Sequence, residues 1–277
     1  MVQIVTDSNS GITPEMAKEL GIAGVAPTQI IFGDKSYRDS VDLKSEQFYE
    51  MLKTTLPTTS APSVGDFEEI FSRLKGQDVV ALMISSDLSA TLKACENAVA
   101  MLNGDPAVLV IDTRFVNAGE GLLVMEALNM AKAGHSAAEI KAHIEALIPR
   151  VRMNLVLETL ENLKRGGRIS GASAFIGGVL QMKPILAIKN GKVEPLERVR
   201  TFSKALARLK EIAVMELQGQ TNPRMMILHA NNGSGAQALA AEMQQTFKLN
   251  YVPMILESGP AVGTHSGPGA LGLAYII

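Results

Sequence analysis

Short β-branched runs separated by amphipathic helical stretches fill the first half of the chain, and this alternation limits the fold more than any other feature. Strand candidates are Val2 to Thr6, Val79 to Ile84 and Ala107 to Ile111, each bounded by polar or turn residues. Between them, Thr13 stands before Pro14 and Glu15 as a helix N-cap with proline at the first helical position, and the helix is expected to stop near Gly21. Phe48, Met51 and Leu52 have helical spacing, as do Val64, Phe67, Ile70, Phe71 and Leu74 after a Ser63 cap. Strands that alternate with helices pair in parallel, with helices covering both faces of a twisted sheet.

The pattern changes after Ile148-Pro149. Met153 to Leu157 and Ile185 to Ile188 read as strands, and Ser173 to Gln181 reads as a Gly-rich apolar helix. Asn190-Gly191 is the strongest hairpin signal in the chain, because both central residues of a type I′ turn need positive φ. Helices around 203 to 217 and 235 to 247, with strands near 225 to 229, 253 to 257 and 270 to 276, complete a mixed sheet. The expected architecture is α/β with two lobes. Residues 1–150 form an N-terminal three-layer α/β/α domain with a parallel sheet, and residues 151–277 form a C-terminal two-layer α/β domain with a mixed sheet.

Composition excludes several function classes. Hydrophobic residues make up 47% of the 277 residues and charged residues 19%, enough apolar material to offset chain entropy and too little charge for disorder. A formal charge of −2, with Lys and Arg scattered, provides no footprint for releasing counterions from nucleic acid, so no nucleic-acid partner is expected and a transcriptional role is disfavoured. Neither a signal peptide nor an apolar run of about 18 residues is visible, which leads to the expectation of a cytoplasmic protein. Cys95 is the single cysteine and sits among apolar neighbours, so it reads as an inert core thiol. The four histidines form no HExxH pair, and no metal is expected.

Four segments place small polar residues just after a strand or in a loop, where ligands of open α/β sheets gather. They are residues 6–10 (TDSNS), 57–63 (PTTSAPS), 85–89 (SSDLS) and 263–269 (GTHSGPG). Capping and turn chemistry accounts for each of the first three taken alone. The fourth is different, since three glycines and a proline confine the backbone around His265. Asn232-Gly233-Ser234-Gly235 lacks the lysine of a phosphate loop and reads as a helix cap, and Asp7, which would repel phosphate, reads as a brace between loops. Gly166 reads as a helix stop, and Arg168, past it, suits contact with a phosphate or a partner. No G-x-S-x-G elbow occurs.

Taken in order, residues 6–10, 57–63, 85–91 (SSDLSAT), 163–177 (LKRGGRISGASAFIG), 183–186 (KPIL) and 263–272 (GTHSGPGALG) resemble the DegV family, fatty-acid-binding carrier subunits of bacterial fatty acid kinase. The resemblance runs end to end. It implies a long-chain fatty acid such as palmitate, stearate or oleate held in an internal tunnel, with no other cofactor. It also implies a carboxylate held by Thr58, Ser86 and His265, with Thr59 and Ser85 beside them. Arg168 and Arg200 resemble the basic residues associated with phosphoryl transfer by a dihydroxyacetone-kinase-like kinase subunit. The chain is then a carrier rather than an enzyme, and transient contact with a membrane surface would serve lipid exchange. Phe175, Ile176, Leu180 and Ile185 are the expected tunnel wall. Ala61 stands where the family often has glutamine, and Ala90 and Leu92 replace a common glycine and tyrosine. The alternative reading is a stand-alone hydrolase or phosphotransferase using Ser86 and His265.

Overall fold

The computed structural model describes residues 1–169, 171–172 and 182–277. Phe175, Ile176 and Leu180, and with them the expected helix at 173–181, lie outside the described residues. The N-terminal lobe runs through β1 (Gln3–Asp7), α1 (Pro14–Leu20), β2 (Gly24–Ala26), β3 (Gln29–Phe32), β4 (Lys35–Arg38), α2 (Ser45–Leu52) and β5 (Thr58–Ser60). It continues through α3 (Val64–Ser72), β6 (Asp78–Met83), α4 (Thr91–Met101), β7 (Ala107–Asp112), α5 (Ala118–Lys132) and α6 (Ala137–Leu147).

Strands β2, β1, β6 and β7 form a parallel sheet in that order. Strand alternation divides β6 between two cores. Val79, Ala81 and Met83 pack with Phe67 and Phe71 of α3 and with Cys95 of α4, whereas Val80 and Leu82 join the cluster that includes α5 and α6. Burial pushes the Cys95 thiol up to about 12, which suits an inert core residue. Local signals produced the helix ends. Thr13 accepts from the Met16 N–H, Gly21 closes α1 with φ 85°, and Ser63 forms a capping box with Asp66.

A small antiparallel sheet, β4-β3-β5, was not anticipated. Its strands are three or four residues long and partly polar, too short for a periodic signal.

The C-terminal lobe contains β8 (Val151–Val156), α7 (Glu161–Arg165), β9 (Lys183–Lys189), β10 (Lys192–Val199), α8 (Phe202–Glu216) and β11 (Met225–His229). It ends with α9 (Gly233–Thr246), β12 (Met254–Glu257), α10 (Pro260–Ser266) and β13 (Leu271–Ile276). Its sheet has the order β10-β9-β8-β13-β11-β12, with β11 and β12 parallel and the other pairs antiparallel. Asn190 (φ 51°) and Gly191 (φ 78°) turn the β9–β10 hairpin as the sequence predicts. The Asn232 side chain accepts from the Gly235 N–H and caps α9. One face of this sheet carries Val156, Ile185, Ile227 and Tyr275 against α8 and α9. The opposite face belongs to the cluster that continues into the N-terminal lobe, where α5 packs against β1 and β6 and also against β11 and β13.

Candidate functional site

A cavity of about 290 Å³ lies where the two lobes meet. Its apolar wall follows from period-2 alternation in the C-terminal sheet. Met153 and Leu155 of β8, and Leu157 just after it, point inward, as do Leu186 and Ile188 of β9. Ile185 does not. It is fully buried on the helix-covered face with Val156, so the expectation that it lines a tunnel is corrected by one residue of register, to Leu186.

A polar cluster meets this wall from α10 and the N-terminal loops. His265, in the last turn of α10, shares a hydrogen bond of 3.0 Å between its Nε2 and Thr59 Oγ1. Its Nδ1 is buried and has no hydrogen-bond partner among the described residues. The ring lies directly over Gly166, where any Cβ would overlap Nδ1, so this glycine is needed for close approach. Burial, and secondarily the Arg168 guanidinium, push the imidazole down to about 4, so it is neutral at pH 7.

Arg168 is aimed by two carbonyls, donating from Nε to Leu88 O (3.1 Å) and from Nη1 to Gly166 O (2.7 Å). Gly167, with φ 70°, turns the chain out of α7 to place it there. Arg168 forms no salt bridge with a carboxylate among the described residues. It lines both the cavity and an adjoining surface depression that also includes Ser86, Asp87 and Gly167. Arg200 is exposed in the turn after β10 and does not line the cavity.

The hydroxyls expected at the ligand sort differently. Thr58 and Thr59 are consecutive on β5 and so face opposite ways. Thr59 meets the cavity and His265, and Thr58 is exposed. Ser86 is exposed, with its hydroxyl donated to Asp112 Oδ2 at 2.6 Å and accepting from Arg114 Nη1 at 3.1 Å. Ser85 is buried and donates to Gly191 O at 2.8 Å. Neither serine lines the cavity, and Ser89, three residues past Ser86 on the same turn, does. The sequence offered Ser89 within the same hydroxyl-rich segment, with no signal to rank it above its neighbours.

Ser85 and Ser86 belong instead to a latch between the lobes. Arg114 Nη2 donates to Asp87 Oδ2 (2.5 Å) and to the Asn190 carbonyl, and Lys192 pairs with Asp87 at 3.6 Å. Gly191 lets the hairpin tip dock, since a Cβ there would lie 2.5 Å from Arg114 Cζ. Asp7 braces the cavity floor, accepting from the N–H groups of Asn9 and Ile84 at 2.9 Å each. No group of His, Cys, Asp and Glu among the described residues could hold a metal ion.

The DegV family model, described as an uncharacterised protein family, matches residues 1–277. A DegV domain-containing protein of Halalkalibacterium halodurans is 37% identical over 281 residues, covering 100% of this chain and 98% of the relative. One from Deinococcus radiodurans is 35% identical over 278 residues, covering 99% and 97%. Among solved structures, a DegV family protein of Thermus thermophilus described as binding fatty acid superposes with a TM-score of 0.91 at 31% identity, covering 100% of this chain and 99% of that one. DegV of Bacillus subtilis, described as a fatty acid binding protein, superposes with a TM-score of 0.89 at 30% identity, with the same coverage.

Proposed function

The chain belongs to the DegV family, and from that premise we propose that it binds a long-chain fatty acid in the cavity between its lobes and presents the carboxyl group to a separate ATP-dependent kinase, which forms the acyl phosphate. The observation that carries this reading is an apolar-walled cavity joined to one cluster of Thr59, Ser89, His265 and Arg168. The size is at the lower edge of small-molecule sites. About fourteen buried methylenes contribute on the order of 11 kcal/mol before the costs of association.

That gain has to exceed the cost of desolvating the carboxylate. Charge-assisted hydrogen bonds of roughly 1.5–3 kcal/mol each from two hydroxyls and an imidazole offset it, with Arg168 supplying formal charge nearby. The carboxylate group that enters also faces outward, because Arg168 and Ser89 line both the cavity and the surface depression. A kinase that docks over this depression reaches the carboxylate, and Arg168 then lies where charge builds up during phosphoryl transfer. Arg200, exposed on the same lobe, is part of the proposal as a docking residue.

A carrier fits the cluster better than a hydrolase. Ser86 is committed to Asp112 and is absent from the cavity, so the hydroxyl–imidazole pair of that alternative does not form. Among the described residues His265 Nδ1 has no orienting carboxylate of the kind that a catalytic base uses. No helix among the described residues is long and apolar enough to cross a membrane. A cytoplasmic site of action, with brief membrane contact for lipid exchange, belongs to the same proposal.

Native mass spectrometry of the delipidated protein with palmitate, stearate or oleate should show a single retained adduct. A chain that stays empty with all three removes the reading. Thr59→Val should weaken retention about tenfold, and Thr58→Val should leave it unchanged. With a fatty acid kinase and ATP, Arg168→Ala should lower acyl phosphate formation more than it lowers binding.

A further inference from the structure

A second polar group lines the same cavity, apart from the His265 cluster. Asn9, Thr28, Asn117 and Ser258 all face it, and none is more than 6% exposed. Most of their polar atoms are paired. Asn9 Nδ2 donates to Asp7 Oδ1 at 2.6 Å and to Thr28 Oγ1 at 2.9 Å, and Asn117 Nδ2 donates to Ser258 Oγ at 3.2 Å. Asn117 Oδ1, fully buried, has no hydrogen-bond partner among the described residues. The residue also holds φ 47° and ψ −126°, a backbone conformation that glycine adopts freely and an L side chain does not. A side chain kept in a strained conformation, with an unpaired amide atom in a ligand cavity, indicates use of that amide.

We propose that Asn117 is a second ligand contact and that the acyl chain for which this cavity is built carries a hydroxyl group along its length. This rests on the fatty-acid reading and narrows its ligand class to mid-chain hydroxy fatty acids. A hydroxyl both donates and accepts, so it satisfies the amide whichever way its two terminal atoms are turned. A plain hydrocarbon chain leaves the amide unpaired or requires a trapped water.

Strand geometry places Thr28 away from Thr59 and the carboxylate, and with it Asn9 and Asn117, since Asn9 donates to Thr28 Oγ1 and accepts from the Asn117 N–H. Thr59, Ser60 and Ala61 all line the cavity, with Ala61 roughly 7 Å from Thr59 at strand rise. Gln29 pairs with Ser60, so Thr28, one residue earlier, lies toward Ala61 rather than Thr59. The hydroxyl therefore belongs several carbons down the chain.

The test compares dissociation constants of delipidated protein for stearic, 2-hydroxystearic, 10-hydroxystearic and 12-hydroxystearic acids, in the wild type and in Asn117→Gly. Glycine suits the local backbone and removes the amide. The wild type should favour the 10- or 12-hydroxy acid over stearic acid by about tenfold or more, with no gain for the 2-hydroxy acid. In Asn117→Gly the preference should fall to within about twofold while stearic acid still binds. Equal or tighter wild-type binding of stearic acid would overturn the proposal, as would a preference that survives in the glycine variant or an equal gain for the 2-hydroxy acid. Stearic acid that binds without hydroxyl selectivity overturns this inference alone, and failure of all four acids to bind overturns the fatty-acid reading with it.

Discussion

Replacing His265 with asparagine should make the protein progressively more acid-tolerant than the wild type. In the fold the imidazole is pushed down to about 4, by burial first and by the Arg168 guanidinium second. The unfolded chain regains the ordinary value of about 6.5. As pH falls below about 6.5, the unfolded wild type takes up a proton that the folded form refuses, so stability declines until about pH 4 and then levels off. About 2.5 pH units at 1.36 kcal/mol each amounts to roughly 3 kcal/mol. At pH 7.5 the variant is the weaker protein, by about 1 kcal/mol, for loss of the hydrogen bond to Thr59. Urea unfolding of both delipidated proteins from pH 7.5 to 4 measures the difference directly, and other titrating groups cancel in it. The gap should move in favour of the variant by on the order of 3 kcal/mol across that window. Parallel stability curves would refute the reasoning, because they would mean that His265 is not desolvated. Bound palmitate should shrink the effect, since a carboxylate beside the ring stabilises its protonated form.

Asp39 titrates with the opposite sign. It is buried with Oδ2 unpaired among the described residues, and burial pushes its carboxyl up to about 7. Stability present at low pH is lost as pH rises from about 4 to about 7, so Asp39→Asn should gain roughly 3 kcal/mol on the wild type between pH 5 and pH 8 in the same urea assay. Gly166→Ala should force the His265 ring off Thr59 and lower palmitate retention about tenfold, at an overpacking cost of about 1–3 kcal/mol in stability. Retention equal to the wild type would show that the ring position is not needed. Arg114→Ala removes the bond to the Asn190 carbonyl that ties the lobes, together with the contacts to Ser86 and Asp87 that orient it, and should cost about 1–3 kcal/mol, toward the lower figure because the site is partly solvated. Unchanged thermal unfolding would argue against the latch.

Most strands of the two larger sheets were legible because their signals are local, whereas β2, only three residues long, carried none. Val79 to Ile84, the Thr13-Pro14 cap and Asn190-Gly191 each carry their conformation in adjacent side chains. The general location of the site was legible too, because glycines confine His265 and hydroxyl residues follow the strands. Which hydroxyl meets the cavity was not. Thr58 and Thr59 have the same chemistry, and only the pairing of β5 with β3 decides that Thr59 turns inward. The same one-residue choice separates Ile185 from Leu186, because both fit a buried strand and the packing of α8 and α9 assigns one face to each. Arg114 and Asn117 had no local signal at all, and Gly166 signalled only a helix stop, since each acts through a residue distant in sequence: Asn190, Ser258 and His265 respectively. Sequence by itself determined most of the longer elements and the chemical kinds of group near the cavity, because propensity and periodicity act over a few residues. The tertiary structure alone decided which of those groups face the cavity, because strand register and lobe docking are set by contacts that no short stretch of chain contains.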